Sequence, residues 1–130
     1  MSDSAIAISS LSYKHKPDSN TPLSLDNLHL HLPKGSRTLL IGANGAGKST
    51  LLQILAGKRM TPQGATVTIL DRDVFRNTPP GVTFLGTEWA MNPVVRSDIV
   101  VSAFLDSVGG YRHKERRDKL LDILDVDLDW

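Results

Sequence analysis

The chain changes its hydrophobic period several times, and each change marks an element. Ala5-Ile6-Ala7-Ile8 is a short β-like run, and the polar stretch Tyr13 to Thr21 reads as a loop or hairpin connection. Residues 23–32 then alternate. Leu28, Leu30 and Leu32 fall on one side and His29 and His31 on the other, the pattern of a half-buried strand. Pro33-Lys34-Gly35 turns the chain into Thr38-Leu39-Leu40-Ile41, an apolar run suited to a buried strand. Thr50 to Ala56 predicts a helix that Gly57 ends. After the turn Thr61-Pro62-Gln63-Gly64, Val67, Ile69 and the pair Val74-Phe75 predict strand segments around Asp71-Arg72-Asp73. A proline-rich link, Asn77 to Gly81, leads to Val82-Thr83-Phe84-Leu85, read as a core strand. Ile99 to Leu105 opens a helix and Gly109-Gly110 breaks it. Tyr111 to Leu124 is an amphipathic helix with Leu120, Leu121 and Leu124 apolar and a charged front half.

Between the run at Thr38 and the helix at Thr50 lies Gly42-Ala43-Asn44-Gly45-Ala46-Gly47-Lys48-Ser49, which fits GxxxxGK[ST] without a gap. The glycines let the backbone bend tightly and bring N–H groups against phosphate oxygens. Lys48 supplies a compact positive charge to the β- and γ-phosphates. Ser49 offers a hydroxyl to Mg²⁺, and the helix that follows points the positive end of its dipole at the anion. Strand, glycine loop, helix is the order this chemistry requires, and it separates the motif from a glycine-rich turn beside a stray lysine.

Composition narrows the class. The chain has 130 residues, 40% of them hydrophobic, with a net charge of +1, enough for one small domain with a core. It has no cysteine, which excludes disulfides, thiol catalysis and cysteine-ligated zinc. The start, Met1-Ser2-Asp3-Ser4, lacks the basic and apolar parts of a signal peptide. No apolar run approaches the ~20 residues that span a bilayer. A cytoplasmic setting is the expectation. His29 and His31 lack a third metal ligand and read as polar-face residues. The basic run Arg112 to Arg117 reads as a solvated helix face, with Glu115 inside it and no aromatic series to stack bases, so no nucleic-acid contact is expected.

Other phosphate-loop classes fit less well. A GTP-binding switch needs an Asp-x-x-Gly element, and Asp106-Ser107-Val108-Gly109 supplies one, but the Asn-Lys-x-Asp guanine reader is missing from the sequence. The wider wording points elsewhere. GANGAGKSTLLQILAG at 42–57, LSLDNLHLHLPKGSRTLLIG upstream and TPQGATVTILDRD downstream together resemble the nucleotide-binding domain of ABC ATPases. FLGTEW at 84–89, RSDIVVSAFL and the C-terminal LLDILDVDLDW are most similar to the soluble ABC transporter I type. That group includes the fungal ATPase associated with the Ccr–Not deadenylation complex.

The resemblance implies an α/β fold: a P-loop NTPase core of ABC ATPase type with a flanking antiparallel β-subdomain, residues 1–130 forming one partial domain. It implies Mg·ATP as ligand, with Gly42, Ala43, Asn44, Gly45, Ala46, Gly47, Lys48, Ser49 and Thr50 at the phosphates and metal. The family stacks adenine on an aromatic residue near the end of the first strand, a place where His15 or Tyr13 could serve. Its magnesium- and water-contacting glutamine falls near Phe84-Leu85-Gly86, where this chain offers Glu88. A serine-glycine signature, a Walker B aspartate, a catalytic glutamate and a switch histidine are expected further on. No apolar run ending in Asp is followed by Glu here, so the chain reads as a domain truncated before the signature and Walker B motifs. The functional expectation is ATP binding within a soluble ABC-type ATPase that pairs head to tail with a second ABC domain and acts as a regulatory or assembly switch. This chain by itself is expected to lack hydrolysis. A non-catalytic nucleotide-sensing or partner-binding module is the alternative. In such a fold the strand entering the loop pairs with the strand bearing the Walker B aspartate, and its apolar faces would otherwise be uncovered.

Overall fold

A computed structural model describes residues 3–18, 20–87 and 96–130. These divide into two compact units, the first reaching Leu85 and the second beginning at Gly86.

The first unit is built on a four-stranded antiparallel sheet in the order β2-β1-β3-β4. Strand β1 spans Ser4–Tyr13 and β2 spans Leu25–Pro33. They pair from Ser4 opposite Pro33 to Tyr13 opposite Leu25. β1 begins on one parity, with Ile6 and Ile8 turned toward the core, and finishes on the other, with Leu11 and Tyr13. A bulge makes the change. Ser10 takes φ 54°, and three steps of β1 from Ile8 to Leu11 match two steps of β2 from Leu30 to Leu28. The extra residue moves Leu11 to the buried face. In β2, Leu28, Leu30 and Leu32 are half-buried while His29 and His31 are exposed, as the alternation predicts.

Strands β3 (Thr66–Ile69) and β4 (Arg72–Asp73) form a hairpin. Its turn residues, Leu70 and Asp71, both have positive φ, the twist that suits a two-residue hairpin. Val74 and Phe75, read from the sequence as strand, instead lie in a turn. Asp73 Oδ1 accepts hydrogen bonds from the backbone N–H groups of Phe75 (2.9 Å) and Arg76 (2.7 Å), which bends the chain away from the sheet.

Helix α1 (Lys48–Leu55) lies against the sheet through Leu51 and Ile54. These join Ile8, Leu11, Val67, Ile69 and Val74 in one core. Leu11, Ile54, Val67 and Val74 are fully buried, and each such side chain stabilises the fold by roughly 1.5–3 kcal/mol. Gly57 ends the helix as expected. Its φ is +69°, and a Cβ there would sit 2.8 Å from the Val74 carbonyl oxygen.

The two apolar runs read as buried strands behave differently. Thr38–Ile41 and Val82–Leu85 pair with no strand among the described residues. Leu39 is 84% exposed, Ile41 79% and Leu85 92%. An isolated run cannot satisfy its backbone polar groups or bury two faces, so apolar content alone does not make it a strand. The described sheet is therefore the antiparallel part of the expected α/β architecture, without a parallel core.

The second unit is helical. Helix α2 spans Val101–Ser107, a 3₁₀ segment spans Gly110–His113, and α3 spans Lys114–Leu124. The start of α2 is capped from the end of the chain. Val101 N–H donates to the Trp130 carbonyl (2.8 Å) and Ser102 N–H to the Leu128 carbonyl (3.0 Å). Arg117 on α3 reaches Asp106 on α2 at 3.4 Å and its neighbour Asp118 at 2.8 Å. No helix among the described residues is long and apolar enough to cross a membrane.

Candidate nucleotide site

The glycine loop sits at the N-terminus of α1, as its sequence position requires. Gly45 and Gly47 take φ of +83° and +91°, so the backbone turns twice within three residues. Gly47 is also the N-cap, and no side chain caps the helix. Its first turn carries no acidic residue. With no side-chain cap and no acidic residue in the first turn, the end amides and the dipole make this end of the helix suited to an anion. Gly47 has a packing reason as well. A Cβ there would run into the Ser24 carbonyl oxygen and stand 3.0 Å from Leu25 Cδ2. The glycine thus lets the loop lie directly against the entry to β2.

Lys48 curls back over the loop. Its Nζ donates to the carbonyl oxygens of Gly42 (2.7 Å) and Ala43 (2.8 Å). Both acceptors are neutral carbonyls and no carboxylate is among them, so neither bond sets a negative charge against the ammonium. Ser49 is exposed beside it. Thr50 is only 7% exposed, and its Oγ1 shares a hydrogen bond of 3.3 Å with His15 Nε2. His15, Ser24, Asn44, Gly45, Gly47, Lys48, Ser49 and Thr50 enclose a cavity of about 280 Å³.

The two candidate aromatic positions part company here. His15 lines the loop cavity. Tyr13 stands behind it, its ring edge-on to the imidazole at 5.4 Å, and packs against the core. The Tyr13 hydroxyl accepts a hydrogen bond of 3.1 Å from Arg59, whose Nε donates to Gln53 Oε1. Gly42, Ala43 and Ala46 complete the loop, with Ala46 N–H donating to the Ala43 carbonyl at 3.2 Å. Glu88 lies outside the described residues. Ser24, Gln53 and Arg59 were not singled out by the sequence. Only Ser24 had a signal, its place at the start of the alternating strand.

A larger hollow of about 630 Å³ lies against the C-terminal segment, but five aspartates line it: Asp118, Asp122, Asp125, Asp127 and Asp129. That charge repels phosphate, and no group of three or more metal-binding side chains was found among the described residues. In β2, His29 Nε2 shares a hydrogen bond of 3.1 Å with Asn27 Oδ1.

Known proteins resemble the chain over most of its length. The profile of the ABC transporter family matches residues 25–120. The chain is 34% identical to CCR4-associated factor 16 of Saccharomyces cerevisiae, with all of this chain and 50% of that protein covered. It is 37% identical to ABC transporter I family member 21 of Arabidopsis thaliana, covering 98% of this chain and 48% of the relative. It is 34% identical to the Fe(3+) ions import ATP-binding protein FbpC of Yersinia pestis, covering 79% and 31% respectively. The chain spans about half the length of the first two relatives.

Proposed function

The chain belongs to the ABC transporter family, and on that premise we propose that it binds Mg·ATP on the loop Gly42–Ser49 as part of a soluble ABC-type ATPase acting as a regulatory or assembly switch. One observation carries the reading: an uncapped helix N-terminus beside a lysine whose hydrogen bonds go to neutral carbonyls. In this reading the amides of residues 45–49 grip the β- and γ-phosphates, that of Ala46 giving up its bond to the Ala43 carbonyl. Lys48 exchanges its two carbonyl partners for phosphate oxygens, which form stronger, charge-assisted bonds. Ser49 holds Mg²⁺ and Thr50 meets the α-phosphate side. Glu88 is proposed to act on the metal or a water. The base lies toward His15, with Tyr13 behind.

We propose further that the runs Thr38–Ile41 and Val82–Leu85 are strand positions completed by more sheet than the described residues contain. Their exposed apolar side chains support this, as does the greater length of the relatives. A second ABC domain, meeting this one head to tail, would supply the remaining groups around the nucleotide. The likeness to a CCR4-associated factor makes a Ccr–Not-type assembly the proposed partner. The sequence has no apolar strand ending in Asp-Glu to furnish a general base, so this chain by itself is proposed to bind nucleotide without appreciable turnover. Steady-state phosphate release tests that part: turnover at ordinary enzyme rates, abolished by Lys48→Ala, would refute it.

The alternative of a non-catalytic partner-binding module draws support from the second unit. Tyr111, Ile123, Leu124 and Trp130 are all exposed there. That reading predicts partner capture that Lys48→Ala leaves unchanged.

A further inference from the structure

Four side chains from three parts of the first unit touch in series. Arg59, just past the end of α1, donates to the Tyr13 hydroxyl, and its guanidinium carbon lies 5.8 Å from the centre of the Tyr13 ring. Tyr13 meets His15 edge to face at 5.4 Å. His15 bonds the buried hydroxyl of Thr50, in the first turn of α1. Arg59 is itself held to α1 through Gln53. The series therefore leaves the helix at its far end and returns to it at the phosphate loop.

We infer that Arg59 and Tyr13 are positioning residues for the His15 ring at the base side of the nucleotide site. The inference rests on the nucleotide reading above. His15 lies beyond the end of β1, in an exposed polar loop, so its ring has no sheet to hold it. Two contacts fix it instead. The edge-on Tyr13 ring limits its tilt, and the Thr50 bond sets its rotation. Arg59 fixes Tyr13 in turn, through its hydroxyl and by cation–π attraction. A ring fixed before the ligand arrives loses less conformational entropy when a base stacks on it. Neither Arg59 nor Tyr13 lines the loop cavity, so each acts through His15 rather than on the phosphates.

The position of Arg59 makes the effect separable by ligand. Tripolyphosphate presents the phosphates of ATP without the base. Dissociation constants of Mg·ATP and of magnesium tripolyphosphate are measured for the full chain, Arg59→Ala, Tyr13→Phe and Lys48→Ala. Arg59→Ala should weaken ATP about fivefold while leaving tripolyphosphate within about twofold, the scale of coupling between residues in one contact network. Tyr13→Phe keeps the ring and removes only the hydroxyl that Arg59 grips. It should act in the same direction, and it carries the test if Arg59→Ala does not fold. The His15 ring proton resonance, assigned with His15→Gln, should move in both variants. Equal losses for both ligands, or unchanged ATP affinity with an unmoved His15 resonance, would overturn the inference. Lys48→Ala should weaken both ligands, and failure there alone would instead strike the nucleotide reading.

Discussion

Two glycines of the loop, both left-handed, provide a matched test of why the loop lies where it does. Gly45 has φ +83°, and a Cβ placed on it meets nothing within 4 Å. Gly47 has φ +91°, and its Cβ would collide with the Ser24 carbonyl oxygen and crowd Leu25. Gly45→Ala therefore costs only the backbone penalty of holding an L-residue in this region, about 1–2 kcal/mol. Gly47→Ala incurs the same penalty and must also push a backbone carbonyl aside. Ser24 is anchored by its own N–H, which donates to the Tyr13 carbonyl at 2.8 Å, so it yields poorly. Overpacking against such a neighbour costs a further ~1–3 kcal/mol. Urea denaturation of the two variants should give midpoints in the order wild type, Gly45→Ala, Gly47→Ala. Equal midpoints for the two alanine variants would refute the claim that the loop is seated on the start of β2.

The exposed runs and the acidic turn give two more expectations. Leu39→Asp with Ile41→Asp should change stability by no more than about 0.5 kcal/mol, because both side chains are in solvent, and should reduce light scattering from the concentrated chain. A loss of several kcal/mol would mean these residues are covered. The two backbone N–H groups on Asp73, Arg76 first and Phe75 second, hold its carboxyl below the ordinary value of 3.8. Its contribution is then fully present above that value and disappears as pH falls through the lower folded-state value. Urea midpoints followed from neutral pH into this acid range should fall more steeply for wild type than for Asp73→Asn. Parallel profiles would contradict the proposed role of the turn.

What the sequence disclosed was local. The phosphate loop, the alternation of Leu28, Leu30 and Leu32, and the stop at Gly57 each depend on neighbours in the chain or on a backbone angle that glycine favours. What it concealed depends on distant partners. Thr38–Ile41 carries the composition of a buried strand, but a strand also needs an adjacent edge, and apolar content does not report whether one exists. The bulge at Ser10 reverses the parity of β1, so simple alternation misassigns Leu11. Arg59 reaches Tyr13 across forty-six positions, a contact no local pattern encodes. His15 and Tyr13 were equivalent as rings two residues apart. They separated once β1 ended at Tyr13 and the following turn brought His15 to the loop.

The central claim is that this loop holds a triphosphate through its amides and the Lys48 ammonium, and titration calorimetry with Mg·ATP measures it most directly. Removing a charged hydrogen-bonding partner of phosphate costs ~1.5–3 kcal/mol, so Lys48→Ala should weaken binding by roughly tenfold to a hundredfold with little change in the urea midpoint. Saturable heat in the wild-type chain, lost in the variant, is the predicted result. No heat from folded wild-type protein, or the same affinity in both, would contradict it.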